Sequence, residues 1–194
     1  AGDCFVALQG DRFDGHTFVR EVRERGAVAA VVSSKLIPDL PDDLGLVEVP
    51  DTLNALQRFA ATYRSLLSVR TVGVTGSSGK TSTKELIAAV LRTRFKTKAT
   101  EGNLNNHIGV PLTLIRLDEV YEFVGVEIGM NHPGEIAPLA RMTAPDYGVI
   151  SSIGQAHIEF FADQESIAAE KAALISALPA SGLAVLNAED EWSR

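Results

Sequence analysis

"TGSSGKTS", residues 75–82, is the stretch on which the reading of this chain turns. Two glycines and several hydroxyls crowd ahead of a lysine. Before them stands "TVGVT" (71–75), rich in β-formers, and after them "KTSTKELIAAVLRTRF" (80–95) reads as a helix. A strand, a glycine loop and a helix that opens on lysine form an anion trap. Glycines let backbone N–H groups converge on phosphate oxygens, and the helix N-terminus adds partial positive charge. Thr75, Gly76, Ser77, Ser78, Gly79, Lys80, Thr81 and Ser82 are therefore candidate nucleotide contacts. Lys80 would reach the outer phosphates, and the Thr81 hydroxyl would ligate Mg²⁺. The spacing departs from the usual G-x-x-x-x-G-K-[ST], because Val74 stands where the first glycine belongs, with Gly73 and Gly76 on either side. The alternative is a glycine-rich strand-to-helix turn with a chance lysine.

Beyond the loop, apolar runs continue at "FVGVEIG" (123–129), "YGVISSIG" (147–154) and "LAVLN" (183–187). Helical patterns lie between them at "GEIAPLARM" (134–142) and "ESIAAEKAALISALP" (165–179). Continuous apolar strands alternating with helices predict an α/β fold whose parallel sheet is covered on both faces. Ahead of the loop, "CFVAL" (4–8), "AVAAVVS" (27–33) and "LVEV" (46–49) read as strands and "HTFVREVRERG" (16–26) as a helix closed by Gly26. "KLIPDLPDDLG" (35–45) is a proline- and aspartate-rich loop. Asp51 or Thr52 caps a helix that runs to Leu67. The expected domains are a small α/β unit at 1–69 and a nucleotide-binding unit at 70–194. No internal repeat or low-complexity tract is evident.

A net charge of −7 argues against a nucleic-acid partner, while leaving room for one local phosphate site. The single cysteine, Cys4, cannot form an internal disulfide, which fits a cytoplasmic setting. Its apolar neighbours suggest a small core residue. No apolar run approaches membrane-span length, so no membrane insertion is expected. The chain opens on Ala1 within a strand-like run and stops at "DEWSR", which reads as a fragment of something longer.

Ligands of open parallel sheets collect at the carboxyl ends of the strands. Glu127 falls near the end of "FVGVEIG", and a lone glutamate in an apolar strand is costly unless paired or bound to a cation. It is thus a candidate Mg²⁺ ligand beside Thr81. His157, after "YGVISSIG", is a candidate for metal or phosphate contact, though a surface loop histidine has the same signature. Met130 and Phe160 read as packing residues. In the first unit, Gly10, Asp14, Gly15 and His16 of "GDRFDGH" could shape a substrate pocket, or form a plain Asp-Gly turn.

Taken together, "TGSSGKTSTKE", "GNLNNHIGVP", "EIGMNHPGEI", "AHIE" and "LNAED" resemble, in order, the Mur ligases of peptidoglycan synthesis. "GDCFVALQGDRFDGHTFV" is similar to the UDP-substrate-binding domain of that family. "GNLNNHIGVPLTL" and "GMNHPGEIA" look most like the member that joins D-Ala-D-Ala to UDP-N-acetylmuramoyl-tripeptide. The resemblance implies a P-loop, Rossmann-like central ATPase domain beside a small substrate domain, and ATP and Mg²⁺ as cofactors. It implies phosphorylation of a carboxylate by ATP, then attack of an amine on the acyl phosphate.

By the same resemblance Lys80, Glu127, His157 and Lys171 carry the chemistry. Thr81, Glu127, His157 and Lys171, the last as a carbamate, hold metal. Asn103, Asn105 and Asn106 contact substrate or phosphates, and Asn187 approaches the adenine. Without the resemblance, Lys171 reads as a solvated helix lysine and the asparagine loop as turn chemistry. Where related sequences often carry an acidic residue, two positions after the lysine, this one has Ala173. A monomer is expected. A third, closing domain of the family is not among the 194 residues, which alone are expected to have little or no ligase activity. The competing readings are a ligase of the same build that adds the third peptide residue, a folate polyglutamate ligase, a P-loop switch or kinase, and a non-catalytic binding module.

Overall fold

In the computed structural model, residues 2–10, 12–33 and 43–193 are described. Packing divides the chain into two units, Ala1–Phe59 and Ala60–Arg194. The division falls inside the helix α2 (Thr52–Leu66).

In the first unit, β1 (Cys4–Val6), β4 (Ala29–Ser33) and β5 (Gly45–Val49) form a parallel sheet in the order β1-β4-β5. Ala7, Val19, Ala30, Val32 and Leu44 make its core. Between β1 and β4 run a short antiparallel hairpin, β2 (Gln9–Gly10) with β3 (Phe13–Asp14), a 3₁₀ turn at Gly15–Phe18 and helix α1 (Val19–Glu24). The 3₁₀ turn replaces the first part of the helix expected from residue 16. Cys4 is exposed rather than buried, because it opens an edge strand. Asp51 is the cap of α2, its carboxylate accepting from the Asn54 N–H at 2.9 Å, while the Thr52 hydroxyl donates to the Ala7 carbonyl at 2.8 Å. The expected proline-rich loop lies mostly at residues 34–42, outside the described residues.

The second unit is built on a five-stranded parallel sheet in the order β10-β9-β6-β8-β7. Its strands are β6 (Arg70–Thr75), β7 (Thr97–Ala99), β8 (Phe123–Glu127), β9 (Tyr147–Ile150) and β10 (Leu183–Leu186). β6 is central, and all five residues of "TVGVT" are buried. The strand period of two then assigns faces. Val72, Val74, Phe123 and Val149 pack against Ile87 and Leu91 of α3 (Lys80–Arg92). Val124, Val126 and Ile128 pack on the other face with residues of α4 (Gly109–Ile115), α5 (Ile136–Thr143) and α6 (Gln164–Ser176). The edge strand β10 departs from the expected double cover, since Leu183, Val185 and Leu186 are exposed. Among the described residues no helix is long and apolar enough to cross a membrane.

Helix α4 and strand β7 are absent from the sequence reading. The run "NNHIGVP" has turn composition, yet Pro111 sits in the first turn of α4, where its missing N–H costs nothing. Leu174, with no exposed surface, joins α6 to this core. Replacing it with alanine is expected to cost about 3 kcal/mol in a urea unfolding titration. A loss below about 1 kcal/mol would show that α6 does not pack as described.

Candidate functional site

The carboxyl ends of β6, β8 and β9 meet around the loop 75–82. Gly76 adopts φ 155°, and a Cβ there would stand 2.0 Å from the Ser151 hydroxyl oxygen. Gly79, at φ 78°, is the N-cap of α3. These two positions require glycine, and they do so without the missing glycine at Val74. The loop is stitched to the segment after β9. Ser77 N–H donates to Ser152 O at 2.8 Å, and Gly154 N–H to the Ser77 hydroxyl at 2.8 Å. Ser78 N–H donates to the Ser152 hydroxyl at 3.0 Å, while the Ser151 hydroxyl donates to Ser78 O at 2.6 Å. The first helical bond of α3 is Thr83 N–H to Gly79 O, so the helix N–H groups ahead of it are free of intrahelical partners. The Thr75 hydroxyl is buried without a hydrogen-bond partner among the described residues.

Glu127 ends β8 with 2% of its surface exposed. Its residue parity places it on the α3 side of the sheet, and there Thr81 donates its hydroxyl to Oε2 at 2.8 Å. Asn105 donates its side-chain amide to Oε1 at 2.8 Å, and Glu127 N–H donates to the Thr100 hydroxyl at 3.0 Å. A buried carboxyl is costly when bare, and here both oxygens are met. Lys80 turns back into its own loop, donating to Gly76 O at 2.9 Å.

Lys171 on α6 is different. It is 1% exposed, and its ammonium has no oxygen partner among the described hydrogen bonds, only Met130 Sδ at 3.9 Å. Burial, and then the positive charge of Lys80, pull its pKa down to about 8, against a smaller opposing pull from Glu170. Glu170 itself accepts from the N–H groups of Gly134 and Ile136, at 2.8 Å each.

The structure thus gathers Lys80, Thr81, Asn105, Glu127 and Lys171 around one loop. The other expected residues have the following surroundings. Asn106 caps α4, its amide oxygen accepting from Gly109 N–H at 2.9 Å. Asn103 is exposed, and its backbone carbonyl accepts from Asn105 N–H. Asn187, after β10, is exposed and closes an Asx turn on Glu189 N–H at 3.1 Å. Asp190, three residues on, ties that turn to Ile153 N–H beside the loop at 2.5 Å. His157 holds a left-handed backbone, φ 64°, and its ring makes no hydrogen bond or ion pair with another described residue. Phe160 is exposed rather than packed in a core, its ring 4.4 Å from that of His132.

In the first unit, Asp14 and His16 serve the turn. Asp14 accepts from His16 N–H at 2.9 Å and from Nδ1 at 2.5 Å, and those bonds lower its pKa. Ser33 N–H donates to His16 Nε2 at 2.8 Å, which fixes the proton on Nδ1. Gly15 N–H donates to Leu8 O at 2.8 Å, and Gly10 pairs with Phe13 in the hairpin.

Among the described residues no three of His, Cys, Asp and Glu gather into a metal-binding group. One carboxyl and one hydroxyl still suit Mg²⁺, which keeps several waters and takes further oxygens from substrate phosphates.

The model of the Mur ligase middle domain matches residues 74–194, more than half of the chain, and that of the Mur ligase family catalytic domain matches residues 1–64. The chain belongs to the Mur ligase family. Within the family it is 44% identical over 181 residues to the UDP-N-acetylmuramoyl-tripeptide–D-alanyl-D-alanine ligase of Bacillus subtilis, covering 93% of this chain and 39% of the relative. The Escherichia coli enzyme of the same name is 43% identical over 98% of this chain and 42% of its own length. The crystal structure of MurF from Acinetobacter baumannii superposes with a TM-score of 0.91 at 34% identity, over all of this chain and 42% of that one. MurF of Thermotoga maritima, in complex with ADP, gives 0.86 at 35% identity over 95% of this chain and 42% of that one. The chain therefore spans about two-fifths of the length of these family members.

A buried, unpaired lysine has a stability signature. Below about pH 8 the folded state carries the full penalty of a charged Lys171. Between about 8 and the ordinary 10.5 the folded lysine is neutral while the unfolded one stays charged, so stability rises with pH, and above that range no penalty remains. Lys171→Met is expected to raise the unfolding free energy at pH 7 by up to about 3 kcal/mol in bicarbonate-free buffer. That advantage should shrink toward pH 10.5. A destabilised Lys171→Met at pH 7 would contradict the burial of a bare ammonium.

Proposed function

We propose that this chain is the substrate-binding and ATP-binding part of an ATP-dependent peptide ligase, which joins D-Ala-D-Ala to UDP-N-acetylmuramoyl-tripeptide in the cytoplasm. Residues 1–69 form the UDP-substrate domain in this reading and residues 70–194 the ATP-binding domain. The observation that carries it is the Thr81–Glu127–Asn105 cluster at the mouth of a glycine loop, with Lys80 and Lys171 alongside. The named relatives at 43–44% identity supply the choice of substrates.

Each chain residue then has a task. The loop's free N–H groups and the α3 N-terminus receive the phosphates of ATP, and Lys80 exchanges its Gly76 carbonyl for the outer phosphate oxygens. Thr81 and Glu127 would hold Mg²⁺, which would supply neutralisation of the charge on the phosphates. Asn105 keeps Glu127 in one orientation while presenting the rest of its loop to the substrate. The tripeptide carboxylate attacks the γ-phosphorus, ADP leaves, and an acyl phosphate forms. The D-Ala-D-Ala amine attacks the acyl carbon, loses a proton, and phosphate leaves with one carboxylate oxygen.

Lys171 fits the carbamate role on physical grounds. Its lowered pKa leaves free amine near neutrality, whose nitrogen can attack CO₂ and release a proton. The product is an anion beside Lys80, which replaces a like-charge repulsion with an attraction. His157, on the loop after β9, is the histidine available to a second metal.

In the full-length protein, phosphate release from Mg-ATP is expected to require both UDP-N-acetylmuramoyl-tripeptide and D-Ala-D-Ala. Release that ignores both would favour a nucleotide switch or kinase. Glu127→Gln is expected to lower kcat by about 10²-fold or more with Tm nearly unchanged. An unchanged kcat would remove Glu127 from the chemistry.

A further inference from the structure

Helix α3 carries a second lysine that the nucleotide chemistry does not use. Lys84 is 1% exposed, one turn beyond Lys80, and its stem passes over β8. It passes closest at Gly125 in the middle of that strand, where an added Cβ would make ordinary contact, 3.5 Å from Lys84 Cγ. The ammonium emerges at Thr100, donating to its carbonyl at 2.5 Å, with the Glu85 carboxylate at 2.7 Å on its other side.

Thr100 is equally buried and is the first residue after β7, where the asparagine loop begins. Its hydroxyl accepts the Glu127 N–H at 3.0 Å, and its own N–H donates to Gly125 O at 2.9 Å. The loop then returns to the same glutamate through Asn105, whose carbonyl also accepts Gly129 N–H at 2.8 Å. Lys84 is thus the α3-side anchor of a closed circuit, Lys84–Thr100–Glu127–Asn105, whose far end meets α3 again at Thr81. A methionine of similar length would fill the same groove without desolvating a charge. What the ammonium adds is a fixed position for Thr100.

We infer that Lys84 is a positioning residue. Through Thr100 it sets the backbone of Glu127 and the start of the asparagine loop relative to the phosphate loop, and so sets how well the site takes a metal–nucleotide complex. This rests on the assignment of Glu127 as a metal ligand. A merely structural lysine would change stability alone.

The test is calorimetric binding of ADP to the full-length protein, titrated with Mg²⁺ and repeated in EDTA, alongside Tm. Lys84→Met and Thr100→Val are expected to raise the Mg²⁺ concentration for half-maximal ADP binding about 10-fold, leaving ADP binding in EDTA unchanged. Thr100→Ser, which keeps the hydroxyl, should behave as wild type. If Lys84→Met does not fold, the valine and serine variants at position 100 decide. Lowered Tm with an unchanged Mg²⁺ dependence in the folded variants would overturn the inference alone. Wild-type ADP binding that ignores Mg²⁺ would overturn the assignment of Glu127, and this inference with it.

Discussion

A carboxyl group with 2% of its surface exposed, at the end of a strand that is otherwise apolar, is the constraint around which the second unit is arranged. Left bare, it would cost several kcal/mol. The fold meets that cost from two directions, with a hydroxyl from α3 and an amide from the asparagine loop, and a hydroxyl at the end of β7 accepts the backbone N–H of the same residue. Those three contacts bring the first turn of α3 and the loop 101–106 to the same end of β8.

Sheet geometry explains why the convergence happens beside the glycine loop. β6 lies between β8 and β9, so its carboxyl end is flanked by the carboxyl ends of both neighbours. The period of two puts Phe123, Gly125 and Glu127 on the face that α3 covers. One helix can then supply Lys80 to the loop, Thr81 to the glutamate and Lys84 to the asparagine loop's root. On the opposite face α6 brings Lys171 toward Lys80, and the two like charges share a space that an anion would stabilise. Both features favour binding a polyanion and its counter-cation at this place.

Much of this was legible in the sequence, and the reasons are specific. "TGSSGKTS" announces the loop because glycine, hydroxyl and lysine carry chemistry irrespective of tertiary context. Glu127 stood out because a charge inside "FVGVEIG" breaks an apolar run. The asparagines were legible as a group but not one by one. Asn105 turns to Glu127 while Asn106 caps α4, and composition cannot distinguish a cap from a contact. Helix α4 escaped because Gly109 and Pro111 mimic a turn. Lys84 escaped because a lysine in "KTSTKEL" reads as a solvated helix residue; only the packing of α3 on β8, with its ammonium on the Thr100 carbonyl, buries it. Asp14 and His16 carried a signal of equal strength for a pocket and for a turn, and their hydrogen bonds describe the turn. Cys4 and Phe160 were misread because an apolar neighbourhood in sequence does not guarantee one in space.

An ATP in the loop at 75–82 whose γ-phosphate activates a carboxylate, as proposed, leaves a direct trace in the oxygen atoms transferred by the full-length protein. UDP-N-acetylmuramoyl-tripeptide labelled with ¹⁸O in its terminal carboxylate would be turned over with Mg-ATP and D-Ala-D-Ala, and the released phosphate analysed by mass spectrometry. The account predicts one ¹⁸O in each phosphate, because the leaving phosphate keeps the oxygen that attacked. Phosphate released during amide formation without that label would contradict it.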